Sequence, residues 1–170
     1  MNKELFRVLE FSEQIYLNCS MIDRKVLIYK ALENFVDQRI ANIQMAIASS
    51  NEAGKDETKS SAGDKHETGK AMAQLDQEQQ GVQLSAALEL KSQLNKINPG
   101  ARSETIALGS LIKTNKGWFY ISIGAGVVTA EGFDCICISA VSPLGKVFWG
   151  KLAGAEIIFN GTKYKVEEVS

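Results

Sequence analysis

Residues 22–47, IDRKVLIYKALENFVDQRIANIQMAI, decide the architecture of the N-terminal half. Ile22, Val26, Tyr29, Glu33, Val36, Ile40, Ile43 and Ile47 recur at alternating spacings of four and three. All but Glu33 are apolar, and Leu32 lies beside that exception. A period near 3.5 sustained over this length is the seam of a coiled coil, narrower than the apolar stripe of a globular helix. A looser stripe follows on Leu75, Val82, Ala86, Leu90, Leu94 and Ile97. Between the two, residues 49–63 hold no apolar side chain except alanine, so the segment cannot enter a core. These features predict an antiparallel helical hairpin whose polar reversal begins at Ser49. An arm from Ile22 to Ser49 would be about 40 Å long at 1.5 Å per residue. Residues 3–19 have the apolar content of a further helix at the hairpin base.

Both prolines, and ten of the fourteen glycines, lie at or beyond Pro99. The motif Asn98-Pro99-Gly100 is a helix stop followed by turn residues. It divides the chain into a helical domain, 1–98, with an acidic tip near 51–67, and a second domain, 99–170. The second domain reads as strands: 105–113, 118–123, the almost wholly apolar 134–139 as a central strand, and a closing hairpin. That hairpin is 155–159 and 162–169 around Asn160-Gly161, a pair suited to a type I′ turn. Ser142-Pro143 before residues 144–151 is a helix-start signal. The expected fold class is α+β, a helical hairpin followed by a small antiparallel sheet with one short helix.

Nineteen Lys and Arg against twenty Asp and Glu give a net charge of -1, which excludes a bulk electrostatic grip on nucleic acid or an anionic membrane. With 45% hydrophobic and 23% charged residues the chain has the composition of a folded protein. It contains neither a run long enough for a membrane span nor a signal-peptide core at its start, so the expected location is the cytoplasm. Cys135 and Cys137 have neither redox nor zinc spacing and read as small buried hydrophobes, and Cys19 is isolated. Trp118, Phe119, Tyr120, Phe148 and Trp149 read as core aromatics, with an aromatic ligand pocket as the alternative.

Two constellations carry chemistry. In Gly63-Asp64-Lys65-His66-Glu67 the two carboxylates are three residues apart, on one side of a first helical turn. They suit either a variant capping box or a pair that recruits magnesium together with oxygens from another macromolecule. Asp56 and Glu57 have similar charge but no helical register to fix them. The second constellation is Ser142-Pro143-Leu144-Gly145-Lys146, followed by Gly150-Lys151. It lacks the glycines and Lys-Ser/Thr pair of a phosphate loop and reads as a tight corner suited to protein docking.

Residues 138–146, Gly150-Lys151 and the closing hairpin together resemble the C-terminal domain of the Gre-type transcription elongation factors. The Gly-Asp-x-x-Glu pattern at 63–67 is similar to that family's acidic tip, although Thr68 stands where the family has Asn. The resemblance implies a coiled coil joined to an FKBP-like domain that docks on RNA polymerase through Ser142, Pro143, Leu144, Gly145 and Lys146. It further implies that the coiled coil enters the secondary channel, where Asp64 and Glu67 share a magnesium ion with the polymerase and stimulate cleavage of backtracked RNA. RNA and DNA would be met only inside the transcription complex. The chain would act as a monomer, hold no cofactor alone and be no enzyme in isolation. The alternatives are a channel-binding regulator without cleavage activity, an FKBP-like peptide-binding or isomerase module, and a structural adaptor whose acidic tip is only a cap.

Overall fold

The computed structural model describes residues 20–57 and 65–170. In chain order the elements are α1 (Met21–Glu57), α2 (Lys65–Leu94), β1 (Leu111–Thr114), β2 (Gly117–Ser122), β3 (Gly126–Ala130), β4 (Phe133–Ser139), α3 (Pro143–Phe148), β5 (Glu156–Phe159) and β6 (Thr162–Val169). They divide into two compact units: residues 20–32 with Ile97–Ser170, and Glu33–Lys96.

Helix α1 opens on a reciprocal cap. The Asp23 amide donates to Ser20 Oγ at 3.2 Å and the Ser20 amide donates to Asp23 Oδ2 at 3.0 Å, satisfying donors that a helix start leaves open. The helix then runs 37 residues, through Ser49 and on to Glu57. The expected reversal at Ser49 is therefore corrected. Residues 49–57 include Ala, Glu and Lys, good helix formers, and a solvated helix needs no apolar face once it continues an established one.

In the unit Glu33–Lys96, Val36 is fully buried and Ile40, Ile43, Ile47 and Ser50 continue its four-three spacing as half-buried positions. The partner stripe on α2 differs from the expected one. Leu84, Ala87, Leu90 and Leu94 face inward, while Val82 is 71% exposed and Leu75 and Ala86 are exposed too. Gln80 and Lys91 hold seam positions as polar residues, which hides the true stripe from a reading based on hydropathy. Lys91 pays no desolvation penalty unaided, because its ammonium meets Asp37 at 2.8 Å.

Past α2 the Asn98 side chain accepts from the Gly100 amide at 3.0 Å, and the Ala101 amide donates to Asn98 O at 3.1 Å. This is the stop expected at Asn98-Pro99-Gly100. The sheet that follows has the order β3-β4-β2-β1-β6-β5. β4 is an interior strand, as expected. The sheet is mixed, because β2 and β4 pair in parallel, with Phe119 opposite Ile136 and Ile121 opposite Ile138. The all-antiparallel expectation is thereby corrected. Its cause is β3, which the sequence reading passed over. Flanked by Gly124 and Gly126 and lying at the sheet edge, β3 has weak strand chemistry, and omitting one strand reverses the apparent direction of the next. The expected strand 105–113 is also shorter. Gly109 at φ +85° turns the chain, leaving only a Thr105–Leu152 bridge ahead of β1. The closing hairpin has Asn160 and Gly161 both at positive φ, 47° and 75°, the signature of its expected turn.

Side chains alternate across β2. Phe119 and Ile121 enter a cluster with Ile106, Ile112, Phe148, Ile157 and Val166. Phe119, Phe148 and Tyr164 pack there as a ring trio with centroids 5.3–5.9 Å apart. On the opposite side, Trp118 meets Phe133 edge-on at 5.2 Å, and the Arg24 guanidinium of α1 lies 5.2 and 5.0 Å from the two ring centroids. Lys25 is 2% exposed, with its ammonium donating to Ala101 O at 2.5 Å. Of the expected core aromatics, Phe119, Tyr120 and Phe148 are buried and Trp118 is half-buried, but Trp149 is 48% exposed.

Candidate functional site

The corner at 139–151 is fixed by its hydrogen bonds. As β4 ends, Ser142 Oγ donates to Ser139 O at 2.7 Å and accepts from the Gly145 amide at 3.1 Å. Ser142, at φ -65° and ψ 155°, thus caps α3 while bracing the strand behind it, and Pro143 occupies a first-turn position where its missing N–H costs nothing. Gly145 is buried so closely that an added Cβ would stand 2.1 Å from Ser139 O. The helix can lie against the end of β4 only because this residue has no side chain.

At the far end the Trp149 amide donates to Gly145 O at 2.9 Å. The Gly150 amide then donates to Ile106 O, and the Ile106 amide to Lys151 O, each at 2.8 Å. The corner is therefore tied down on both sides. Leu144 and Val147 pack on the core cluster, leaving Pro143 and Lys146 exposed. Of the five residues singled out from sequence, Pro143 and Lys146 present side chains outward, Ser142 and Leu144 are half-buried, and Gly145 provides the close approach. Trp149 and Leu152, 48% and 52% exposed, extend this surface. Sequence reading missed them because a tryptophan in a small domain is ordinarily core.

The acidic tip is defined by the register of the helices. Lys91 meets Asp37, and the Gln80 amide donates to Ser50 Oγ at 3.2 Å. The midpoints of these pairs in sequence are 64 and 65, so the hairpin is symmetric about Asp64-Lys65. Glu67 lies in the first turn of α2. Asp64 lies outside the described residues, as do the side chains of Glu67 and His66. Asp56 and Glu57 belong to the last turn of α1 and not to a loop, which corrects their expected setting; their side chains also lie outside the described residues.

Cys135 and Cys137 lie on one face of β4, each 1% exposed. Hydrogen bonding to the Cys137 thiol, followed by burial, pushes the Cys135 thiol far above its ordinary range, the behaviour of an inert buried thiol. Burial likewise raises the Tyr120 phenol, with Cys137, Tyr29 and Cys135 adding to the effect. The five aromatics do not line a ligand pocket. A cavity of about 490 Å³ lies elsewhere, lined by residues including Met21, Arg102, Ser103, Glu104 and Ser170, without an aromatic ring. Among the described residues no group of three or more His, Cys, Asp or Glu is placed to hold a metal, and no helix is long and apolar enough to cross a membrane.

No family model matches the chain, and no curated protein matches it. Two solved structures align with it. The structure of the transcription factor Gfh1 is 17% identical, covers 84% of this chain and 93% of its own, and has a TM-score of 0.31. The crystal structure of GreA factor homolog 1 (Gfh1) protein of Thermus thermophilus is 16% identical, covers 85% and 95%, and has the same TM-score. Likeness of this degree assigns neither a family nor an activity.

Proposed function

We propose that this chain is a Gre-like regulator that docks on RNA polymerase through Ser142, Pro143, Leu144, Gly145 and Lys146. In this reading the helical hairpin enters the secondary channel and stimulates the polymerase's own cleavage of backtracked RNA. The observation that carries the reading is the hairpin register, which centres the reversal on Asp64-Lys65, inside the only Gly-Asp-x-x-Glu sequence of the chain. A cap alone does not require its carboxylates to sit at the turning point of two helices of 37 and 30 residues.

Two carboxylates are fewer ligands than magnesium's octahedral shell requires, so the remaining oxygens belong to the polymerase and its RNA. Bound there, the ion would stabilise the attacking and leaving oxygens of phosphodiester hydrolysis. Asp64 contributes a negatively charged ligand, and Glu67 orients the attacking water and accepts its proton. The chain is no enzyme by itself.

The test is transcript cleavage by a backtracked cognate polymerase. The chain is expected to accelerate cleavage, and Asp64→Asn with Glu67→Gln to abolish the acceleration while polymerase binding and melting temperature stay unchanged. Asn caps a helix about as well as Asp, so this pair removes charge and spares the cap. Cleavage surviving in the double variant would refute the metal role. Binding without acceleration by the unmodified chain would identify a channel-occupying regulator, and turnover of a proline peptide without polymerase binding would identify an isomerase.

A further inference from the structure

We propose that the surface from Val141 to Leu152 docks on an acidic protein face, with Trp149 as the apolar anchor and Lys146 and Lys151 as the charged contacts. The inference rests on the polymerase reading and names the chemistry of the face that is contacted. From Cys135 to Ala155 the chain contains no Asp or Glu. Lys91, Lys113 and Lys163 each have a carboxylate within 3.1 Å. Lys146 and Lys151 are exposed and take part in no ion pair among the described residues. Their charge is uncompensated within a stretch that has no acid of its own, so the complementary surface is acidic.

The apolar part is displayed with equal consistency. Val141 is 75% exposed, Trp149 48% and Leu152 52%. The Trp149 amide donates to Gly145 O and the Lys151 amide to Phe148 O, so the backbone is held and these side chains need no rearrangement before binding. A pre-positioned tryptophan flanked by aliphatic residues is the usual centre of a protein interface, and the lysines at its rim supply steering and discrimination. Two lysines are too few to track a nucleic-acid backbone, where grips of six to ten phosphate contacts are common, and Val141, Pro143 and Leu152 offer nothing to phosphate.

The experiment is a binding titration of the full chain on purified cognate polymerase at about 0.1 M and about 0.3 M salt, with free single-stranded RNA as a second probe. Lys146→Glu with Lys151→Glu is expected to weaken polymerase binding at least about tenfold at the lower salt, with the gap narrowing at the higher. Trp149→Ser is expected to weaken it by about tenfold or more at both salts, and Lys116→Glu, on the β1–β2 turn, to leave it unchanged. Thermal melts report whether each variant folds. If one does not, Lys146→Gln with Lys151→Gln and Trp149→Tyr replace it, with smaller losses in the same order. Wild-type binding that both variants retain within about twofold overturns this inference and leaves the polymerase reading standing. Absence of wild-type binding overturns both. RNA binding that these substitutions abolish overturns it in favour of a nucleic-acid surface.

Discussion

Gly145→Ala tests the reasoning about the corner most directly. The added methyl would stand 2.1 Å from Ser139 O, 3.0 Å from Ser142 Oγ and 3.1 Å from Ser139 C. The first and last of these belong to backbone at the end of an interior strand, which cannot swing aside as a flexible side chain can. Relief requires α3 to move away from β4, at a cost of about 1–3 kcal/mol for overpacking. That movement also stretches the two bonds of the Ser142 hydroxyl, worth about 0.5–1.5 kcal/mol each. Alanine's better helix propensity returns no more than about 1 kcal/mol. The net expectation is destabilisation of about 3 kcal/mol, or a urea midpoint lowered by about 1.5 M for a slope near 2 kcal/mol/M. Both tryptophans, Trp118 and Trp149, lie in the unit that contains the corner, so their fluorescence follows its unfolding. Gly150→Ala is the comparison, since it has open space around it and only the positive φ of 72° to penalise it, about 1–2 kcal/mol. A Gly145→Ala loss below about 1 kcal/mol, or one smaller than that of Gly150→Ala, would show that the collision does not govern the corner.

Three further outcomes follow from the packing and electrostatics. Leu94→Ala should cost about 2–5 kcal/mol, whereas Val82→Ala should stay within about 0.5, because Leu94 is fully buried and Val82 is 71% exposed; reversed denaturation midpoints would restore the stripe expected from sequence. Gly81→Ala, in α2 with nothing within 4 Å of the added methyl, should stabilise the hairpin by about 0.5–1 kcal/mol, and a lower helix melting temperature would contradict it. Burial holds the Lys25 ammonium below its ordinary 10.5, so in the interval beneath that value the unfolded chain binds more protons and stability rises with pH. Urea midpoints from pH 7 to pH 10 should show this rise in the unmodified chain and a flatter profile in Lys25→Met. The range stops there because Tyr120, whose pKa is raised, removes stability above its ordinary 10.0.

The sequence by itself determined whatever depends on local chemistry. The four-three spacing from Val36 to Ile47 is written in adjacent turns of one helix. Asn98-Pro99-Gly100, Asn160-Gly161 and Ser142-Pro143 set backbone angles through their own side chains, so each stop, turn and start was legible before any partner was known. The spacing of Asp64 and Glu67 was legible as well, but its position at the reversal required the register between helices. Tertiary structure alone decided the rest. Which face of α2 is buried depends on what lies opposite, so Gln80 and Lys91 occupy the seam while the more hydrophobic Val82 does not. The parallel pairing of β2 with β4 depends on β3, an edge strand whose few buried side chains leave little hydropathic trace. Trp149 is outside because Phe119, Phe148 and Tyr164 already fill the cluster beneath α3. Gly145 could be read as a turn residue, but the reason it must be glycine is the carbonyl of Ser139, brought against it by a strand end that no local pattern specifies.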